Sequence, residues 1–196
     1  MTPRAAPMAA DDRRAALITA TVPLLTRHGR AVTTRQIAEA AGVAEGTIFR
    51  VFESKEELVE CSLARAFEPG HFVHEIAGID SSLPFRDRMV ELVTLLQGRL
   101  TATFGLMRSM GLVAPPEHLG RHDERVAWRQ RTGELMVELV GGDADRLSVP
   151  PEQFVHILRL LTFSASHDEI ADRHTLSPAE IVDAILYGTL KEDRRC

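Results

Sequence analysis

The sequence predicts an all-α protein in which a three-helix head at the N-terminus precedes a larger helical-bundle body. Apolar residues recur three and four positions apart along most of the 196 residues, which is the spacing of amphipathic helices. Two capping-box signatures, Thr33 with Gln36 and Ser54 with Glu57, mark helix starts. Glycines and prolines separate the helical segments. We place the boundary after residue 60, which gives a head of residues 1–60 and a regulatory and dimerisation body of residues 61–196.

Composition and charge limit the possible functions. The apolar runs are too short to span a bilayer and no signal peptide is recognisable, so we expect a cytoplasmic protein. Cys61 and Cys196 do not make a disulfide framework. The net charge is −5, but residues 1–60 carry eight basic and eight acidic side chains, so the negative excess lies in the body. A neutral head favours binding through local contacts over binding through a broad basic face.

The first helix is predicted over about 11–28, with acidic residues in the first turn, where they suit the helix dipole. Its apolar face consists of Ile18, Val22 and Leu25. Gly29 ends the helix, and Pro23 predicts a kink or a tolerated irregularity inside it. The Pro- and Ala-rich residues 1–10 are predicted to be disordered.

Residues 33–55 form a predicted helix-turn-helix around which the head is organised. Gly42 can take the left-handed conformation that ends the first short helix. In the second short helix Ile48 and Phe52 face the core. The opposite face of this helix has small side chains near its N-terminus, followed by a hydroxyl, a ring and a guanidinium. It consists of Glu45, Gly46, Thr47, Phe49 and Arg50. Such a helix fits the major groove of B-DNA, where arginine commonly contacts guanine.

The body is also helical by pattern. A helix opens at Ser54 and ends near Pro69-Gly70, and residues 71–84 are a predicted loop or broken helix. Further helices are predicted over 85 to about 100 with an extension to 110, about 116–140, 151 to about 167, and 178–190.

An ordered set of motifs identifies a family resemblance. The chain has Gly29 at the end of the first helix, Thr33 as a cap, IAEAAGV at 37–43, GTIFRVF at 46–52 and SKEEL at 54–58. This set resembles the TetR family of transcriptional repressors over about 15–63. The resemblance implies a homodimer that binds a near-palindromic double-stranded DNA operator and is released by a small molecule.

By position, the resemblance implies two groups of DNA contacts. Contacts to backbone phosphates fall on Thr33, Thr34 and Lys55. Contacts to base edges fall on Glu45, Gly46, Thr47 and Arg50. Three residues depart from the family pattern: Phe49 lacks the usual tyrosine hydroxyl, Val51 replaces a polar residue, and Ala44 lacks a capping side chain. We therefore expect fewer phosphate contacts and greater dependence on Arg50 and Thr47.

The last two helices each carry an apolar stripe, and the two stripes have two interpretations. The residues are Phe154, Ile157, Leu158, Leu161, Ile181, Val182, Ile185 and Leu186. They either pack back on the body or, as the resemblance implies, pair with a second copy in a four-helix dimer interface.

A ligand cavity in the body is a second hypothesis. Its candidate lining is Met89, Leu96, Phe104, Met107, Met110, Trp128 and Phe163, all of which are also suited to an ordinary core. A cavity of this kind would take a mostly apolar organic molecule. Its binding would oppose operator binding.

Two other classes of function remain as alternatives. Histidines at helical spacing, His71 with His74 and His118 with His122, allow a metal-responsive repressor. An enzyme is the other alternative, but no nucleophile elbow, P-loop or zinc-protease motif is present. We expect no cofactor and no catalytic residue.

Overall fold

The computed structural model describes residues 10–68, 71–116 and 122–188. Within these ranges every regular element is helical, which confirms the predicted all-α class. The α-helices are α1 Ala10–His28, α2 Thr34–Ala41, α3 Lys55–Phe67, α4 Phe72–Ala77, α5 Phe85–Met110, α6 His122–Glu138, α7 Pro151–Ala165 and α8 Pro178–Tyr187. Short 3₁₀ helices cover Gly29–Ala31, Glu45–Arg50 and Gly141–Arg146. Of the segment predicted to be disordered, only Ala10 is described, and it begins α1; Leu190 and Cys196 also lie outside the described residues.

The chain forms two compact units. The head contains the described parts of Met1–Glu68 and Gly105–Arg121, and the body contains those of Pro69–Phe104 and His122–Cys196. The head therefore includes a second stretch of chain beyond residue 60. Because α5 is continuous, its last turns belong to the head and its earlier turns to the body.

The head has its own hydrophobic core, in which α1, α2, the Glu45–Arg50 helix, α3 and the end of α5 meet. The core residues are Leu17, Leu25, Val32, Ile37, Ala38, Ile48, Phe52, Leu58, Leu63, Leu106 and Met110. Each fully buried aliphatic side chain contributes about 1.5–3 kcal/mol. α1 continues through Pro23, which is exposed on its outer surface. This core holds the two short helices, which are too short to be stable in isolation.

Gly29 packs directly on the end of α5 within the head. Its φ is +55°, and a Cβ at this position would lie 2.2 Å from the backbone oxygen of Ser109. The Ser109 hydroxyl donates a hydrogen bond to the carbonyl of Leu25 (2.9 Å). The turn that ends α1 therefore requires glycine for two reasons: the left-handed conformation and the close approach.

The body core joins α4 to α8 and includes a buried arginine. The guanidinium of Arg88, which is 6% exposed, donates to the carbonyl of Leu139 (2.7 Å) and to the carboxylate of Asp143 (2.9 Å), among other acceptors. α8 begins with a capping box between Ser177 and Glu180. Arg88 thus satisfies carbonyl groups around the end of α6, which a purely apolar side chain would leave without donors.

Candidate nucleic-acid interface

The first helix of the helix-turn-helix begins as predicted. The Thr33 hydroxyl oxygen accepts from the amide of Gln36 (3.2 Å), and the Gln36 side chain accepts from the amide of Thr33 (2.9 Å). Gly42 then ends α2 in the left-handed conformation with φ +66°. Because the Thr33 side chain is engaged in the cap, it is not wholly available for the predicted phosphate contact.

The second helix, Glu45–Arg50, is a 3₁₀ helix, which the sequence analysis did not distinguish from an α-helix. Its hydrogen bonds span three residues, from the amide of Thr47 to the carbonyl of Ala44 (2.8 Å) and from that of Val51 to that of Ile48 (3.0 Å). As expected, Ala44 makes no side-chain cap. A missing cap and a glycine at the second position both disfavour an α-helix this short.

The outward arc of this helix is exposed. Ile48 is fully buried, while Gly46, Phe49 and Arg50 are exposed and Thr47 is half-buried. Phe49 leaves 55% of its surface accessible, which is unusual for a ring. Within the described residues, Arg50 makes no hydrogen bond or ion pair. The Arg50 guanidinium therefore has all its donors available, on a helix whose first residues after Glu45, Gly46 and Thr47, carry small side chains.

Glu45 and Thr34 are paired with each other. The hydroxyl of Thr34, at the start of α2, donates a hydrogen bond to the carboxylate of Glu45. Sequence reasoning assigned one residue to a phosphate and the other to a base, and it missed the contact because the two are eleven positions apart. In this structure neither side chain is wholly available to DNA.

Lys55 is also partly used inside the head. Its ammonium group donates to the carbonyls of Val32 (3.1 Å) and Arg30 (3.4 Å). An ammonium group has three donors, so one remains for a phosphate. The two internal bonds hold the ammonium near the loop before α2, which restricts the reach of an otherwise flexible side chain.

Arg14 is a positioning residue that sequence reasoning missed. Its guanidinium lies 4.3 Å from the ring centre of Phe52 and donates to the carbonyl of Val51 (3.2 Å) and to the carboxylate of Glu57 (3.0 Å). These contacts join α1 to the residues after the Glu45–Arg50 helix and to α3. A signal was present, since Arg14 precedes Ile18 by one helical turn and so shares the face of α1 that packs inward.

The second predicted capping box is only half formed. The Ser54 hydroxyl accepts from the amide of Glu57 (3.1 Å), but the carboxylate of Glu57 accepts from the amide of Glu53 (2.7 Å) and from Arg14. The bond from the Glu53 amide, followed by the bond from Arg14, lowers the pKa of Glu57 below its usual value. The Glu57 carboxylate therefore accepts from Arg14 and from the Glu53 amide, and not from the Ser54 amide as a complete box requires.

The predicted cavity residues are divided between the two units. Met107 and Met110 belong to the head, and the others belong to the body. Met89 and Leu96 are buried in the body core, and Phe104 makes an edge contact with Phe163, at 5.2 Å between ring centres. Trp128 is half-buried, beside Phe72. Two grooves in the body, of about 540 and 960 Å³, are lined by other residues.

The predicted dimer residues fall into two sets. Four are buried within the body itself, namely Phe154, Leu158, Ile181 and Val182. The other four keep accessible surface: Ile157 is exposed, and Leu161, Ile185 and Leu186 are half-buried. The same two helices also expose Leu160, Phe163 and Tyr187. The buried residues therefore fit packing on the body, and the accessible residues leave a surface on which a second copy could pack.

No metal site is present among the described residues. In that part of the chain, no group of three or more histidine, cysteine, aspartate or glutamate side chains is close enough to hold an ion. His71 and His74 are exposed, while His118 lies outside the described residues, as does the side chain of His122. The metal-responsive alternative therefore has no support. No helix in the described ranges has the length and apolarity needed to cross a membrane.

The family model for bacterial regulatory proteins of the tetR family matches residues 17–60. The head belongs to the tetR family. Residues 17–60 include α2, the Glu45–Arg50 helix and the first half of α3, so the match covers the surface described above. The predicted family is thus confirmed for the head.

Relatives and solved structures agree with the TetR assignment. The transcriptional repressor KstR of Rhodococcus jostii is 45% identical over 58 residues, and the uncharacterized regulator YvkB of Bacillus subtilis is 48% identical over 50 residues. These matches span 29% and 25% of this chain, and only about a quarter of either relative's length (27% and 26%).

Bacillus subtilis FadR in complex with stearoyl-CoA has a TM-score of 0.57 at 13% identity, over 90% of this chain and 99% of FadR. A tetR-family regulator from Streptomyces coelicolor also scores 0.57, at 19% identity, over 91% of this chain and 79% of its own. The body therefore shares the fold of TetR regulators.

Proposed function

We propose that the protein is a transcriptional repressor that binds a near-palindromic operator as a homodimer and is released by a small organic ligand. One observation carries the DNA-binding part of this proposal. In a head matched by the tetR family model, Arg50 is exposed, has no hydrogen bond or ion pair with any described residue, and follows Gly46 and Thr47, where a duplex could approach closely. KstR, which shares this segment, is named as a repressor.

The docking mode follows from the groups that remain available. The Glu45–Arg50 helix enters the major groove, and Arg50 donates to a guanine edge. The amides at the start of α2 and the remaining donor of Lys55 bind phosphates on either side. Phe49 packs its exposed ring against the sugar-phosphate backbone. Phosphate contacts are few, so base contacts have a larger share in affinity.

Two alanine variants test this docking mode. Arg50→Ala should cost roughly 1–3 kcal/mol at the cognate site and relax sequence preference there. Lys55→Ala should weaken binding to all sequences alike and reduce the salt slope by about one. Arg65→Ala is the matched control, since Arg65 is exposed and paired with Glu68 in the last turn of α3. The operator is selected from a random duplex pool, and affinities are measured at several salt concentrations. If Arg50→Ala binds like the Arg65→Ala control, the docking mode is wrong.

A dimer interface is proposed on the open side of α7 and α8. Ile157, Leu160 and Phe163 are 40–56% exposed, and Tyr187 of α8 is 68% exposed. Apolar side chains at this density on neighbouring helices favour burial against a partner. An isologous pairing would present two heads to half-sites about 34–36 Å apart.

The interface is tested with a pair of charge insertions of equal exposure. Leu160→Glu should shift the protein to monomer in analytical ultracentrifugation and abolish cooperative operator binding. Ile170→Glu should do neither, because Ile170 is as exposed as Leu160 (57% against 56%) but lies outside both helices. A Leu160→Glu protein that remains dimeric would place the interface elsewhere.

Ligand-dependent release is proposed because the body shares its fold with FadR, whose structure holds stearoyl-CoA. In this chain α5 supplies residues to both the body and the head, so a ligand that shifts α5 would act on the head core in which the helix-turn-helix packs. A coupling of about 1–3 kcal/mol would change operator affinity roughly 5- to 150-fold. Ligands that bind the body without changing operator affinity would refute this part alone.

A further inference from the structure

We propose that the turn between α1 and α2 carries a second phosphate-binding surface, formed by Arg27, Arg30 and Lys55, which contacts the DNA backbone just outside the bases read by the Glu45–Arg50 helix. We call this surface the flanking patch. The inference rests on the proposed function, because its partner is the same duplex. It adds to the few phosphate contacts of the helix-turn-helix and lengthens the segment of DNA that each head covers.

The first observation is an uneven distribution of charge along the head. No acidic side chain occurs between Asp12 and Glu39, a stretch that contains five arginines. The acidic side chains that balance them lie in the first turn of α1 and from Glu39 onward. The turn between α1 and α2 therefore has a local positive excess, which the neutral total charge of the head does not reveal.

The second observation is that two cationic residues of different helices meet at this turn. The ammonium group of Lys55 donates to the backbone carbonyl of Arg30 (3.4 Å), and its bond to the carbonyl of Val32 (3.1 Å) holds it there. Arg27 and Arg30 are exposed, and neither makes a hydrogen bond or an ion pair with a described residue. Like charges on one turn repel each other, and a bound anion would offset that repulsion.

Neither the helix dipole nor a neighbouring acid accounts for the flanking patch. A cation in the last turn of α1 suits the dipole, which explains Arg27, but Arg30 lies after that helix, in Gly29–Ala31. Glu56, which follows Lys55 in the chain, is exposed and makes no ion pair with a described residue. Within the described ranges, the charges of the patch are therefore available to an external anion.

The position of the patch identifies that anion as the DNA backbone. Arg30 lies three residues before Thr33, which caps α2, and its carbonyl contacts Lys55. It therefore lies between the two places at which the proposed docking mode puts phosphates. Each strand of B-DNA carries one phosphate per about 3.4 Å of helix axis, so cations that continue from Lys55 to Arg30 and Arg27 can follow successive phosphates. Such contacts fix the position of the head on the duplex and carry no sequence information.

The patch is tested by removing charge and measuring binding to two duplexes. The long duplex is the operator selected from a random pool, with about one helical turn of unrelated sequence on each side. The short duplex ends at the outermost base pair that the selection fixes. The double variant Arg27→Gln, Arg30→Gln should reduce the salt slope on the long duplex by about 0.9 for each arginine in each head, whatever the flanking sequence. On the short duplex it should bind like wild type.

A control variant and a modified backbone assign the effect. Arg65→Gln removes one exposed arginine charge from the head at a position paired with Glu68, and it should keep the wild-type salt slope on both duplexes. A neutral methylphosphonate is then placed at each flanking linkage in turn. At the contacted linkage it should weaken wild type several-fold and the double variant much less, because both changes remove the same contact. Thermal unfolding followed by circular dichroism verifies that each variant is folded.

The outcomes separate the flanking patch from the proposed function. A double variant that keeps the wild-type salt slope on the long duplex, or that loses as much affinity on the short duplex as on the long one, overturns the patch. If Arg50→Ala weakens binding as predicted in that case, the docking mode stands. If the double variant behaves as described but Arg50→Ala binds like its control, the patch stands and the base contact fails. A wild-type protein that binds no duplex would refute both.

Discussion

Gly29 gives the sharpest test of how the head is built. Gly29→Ala places a methyl group in a left-handed conformation, which costs about 1–2 kcal/mol, and presses it against the backbone oxygen of Ser109, which cannot rotate away. Overpacking of this kind costs a further 1–3 kcal/mol or so. The sum is about 2–5 kcal/mol. The measurement is urea denaturation followed by circular dichroism, with the midpoint and the slope both reported.

Gly42 provides the matched control for this prediction. Its φ of +66° is close to that of Gly29, but a Cβ at Gly42 would have no neighbour within 4 Å. Gly42→Ala should therefore cost only the conformational part, about 1–2 kcal/mol. The difference between the two variants isolates the contact with Ser109. Equal destabilisation by both would mean that Gly29 does not pack on the end of α5 in solution.

The remaining predictions concern charged groups in the body and the head. Arg88→Met should destabilise the body by about 3–5 kcal/mol in the same denaturation assay, because it leaves buried acceptors without donors. Arg146→Ala, which removes an exposed partner of the same Asp143, should cost at most about 1 kcal/mol. Similar losses of stability in the two variants would refute the role of burial. Because the folded-state pKa of Glu57 lies below its usual value of 4.5, its contribution is complete above that pH and is lost as the pH falls below it. Urea midpoints at about pH 6 and about pH 3 should therefore fall more for wild type than for Glu57→Gln, and parallel losses would contradict the assignment.

Local signals predicted the head well because its elements are defined by neighbours in sequence. Thr33 and Gln36 form their cap within one turn, and Gly42 needs only its own conformation to end α2. Ile48 and Phe52 were assigned to the core from their spacing alone, and both are buried. Such features depend on contacts between residues three or four positions apart, and the spacing of apolar and capping residues in the sequence predicts those contacts directly.

Long-range contacts were not predictable in this way. Arg14 reaches residues 37 to 47 positions away, and one of them, Glu57, does not complete the second capping box. The hydrophobic spacing of residues 45–50 does not distinguish a 3₁₀ helix from an α-helix, and the missing side-chain cap at Ala44 favours the 3₁₀ form. In the body, Leu158 and Ile157 look equivalent in sequence, yet the first is buried and the second is open. Only the packing of α7 on its neighbours separates them.

The hydrogen bond between Thr34 and Glu45 should affect how long the head stays bound to DNA that is not its operator. In the free protein a carboxylate occupies the hydroxyl that a phosphate would otherwise approach. If Thr34 contacts a phosphate as proposed, a random duplex has to displace this carboxylate without gaining a matching base contact, so each encounter with a wrong sequence should be brief. Under the proposed docking mode, a head with balanced charge and an internally bonded hydroxyl would dissociate quickly from unrelated DNA and slowly from an operator in which Arg50 contacts guanine.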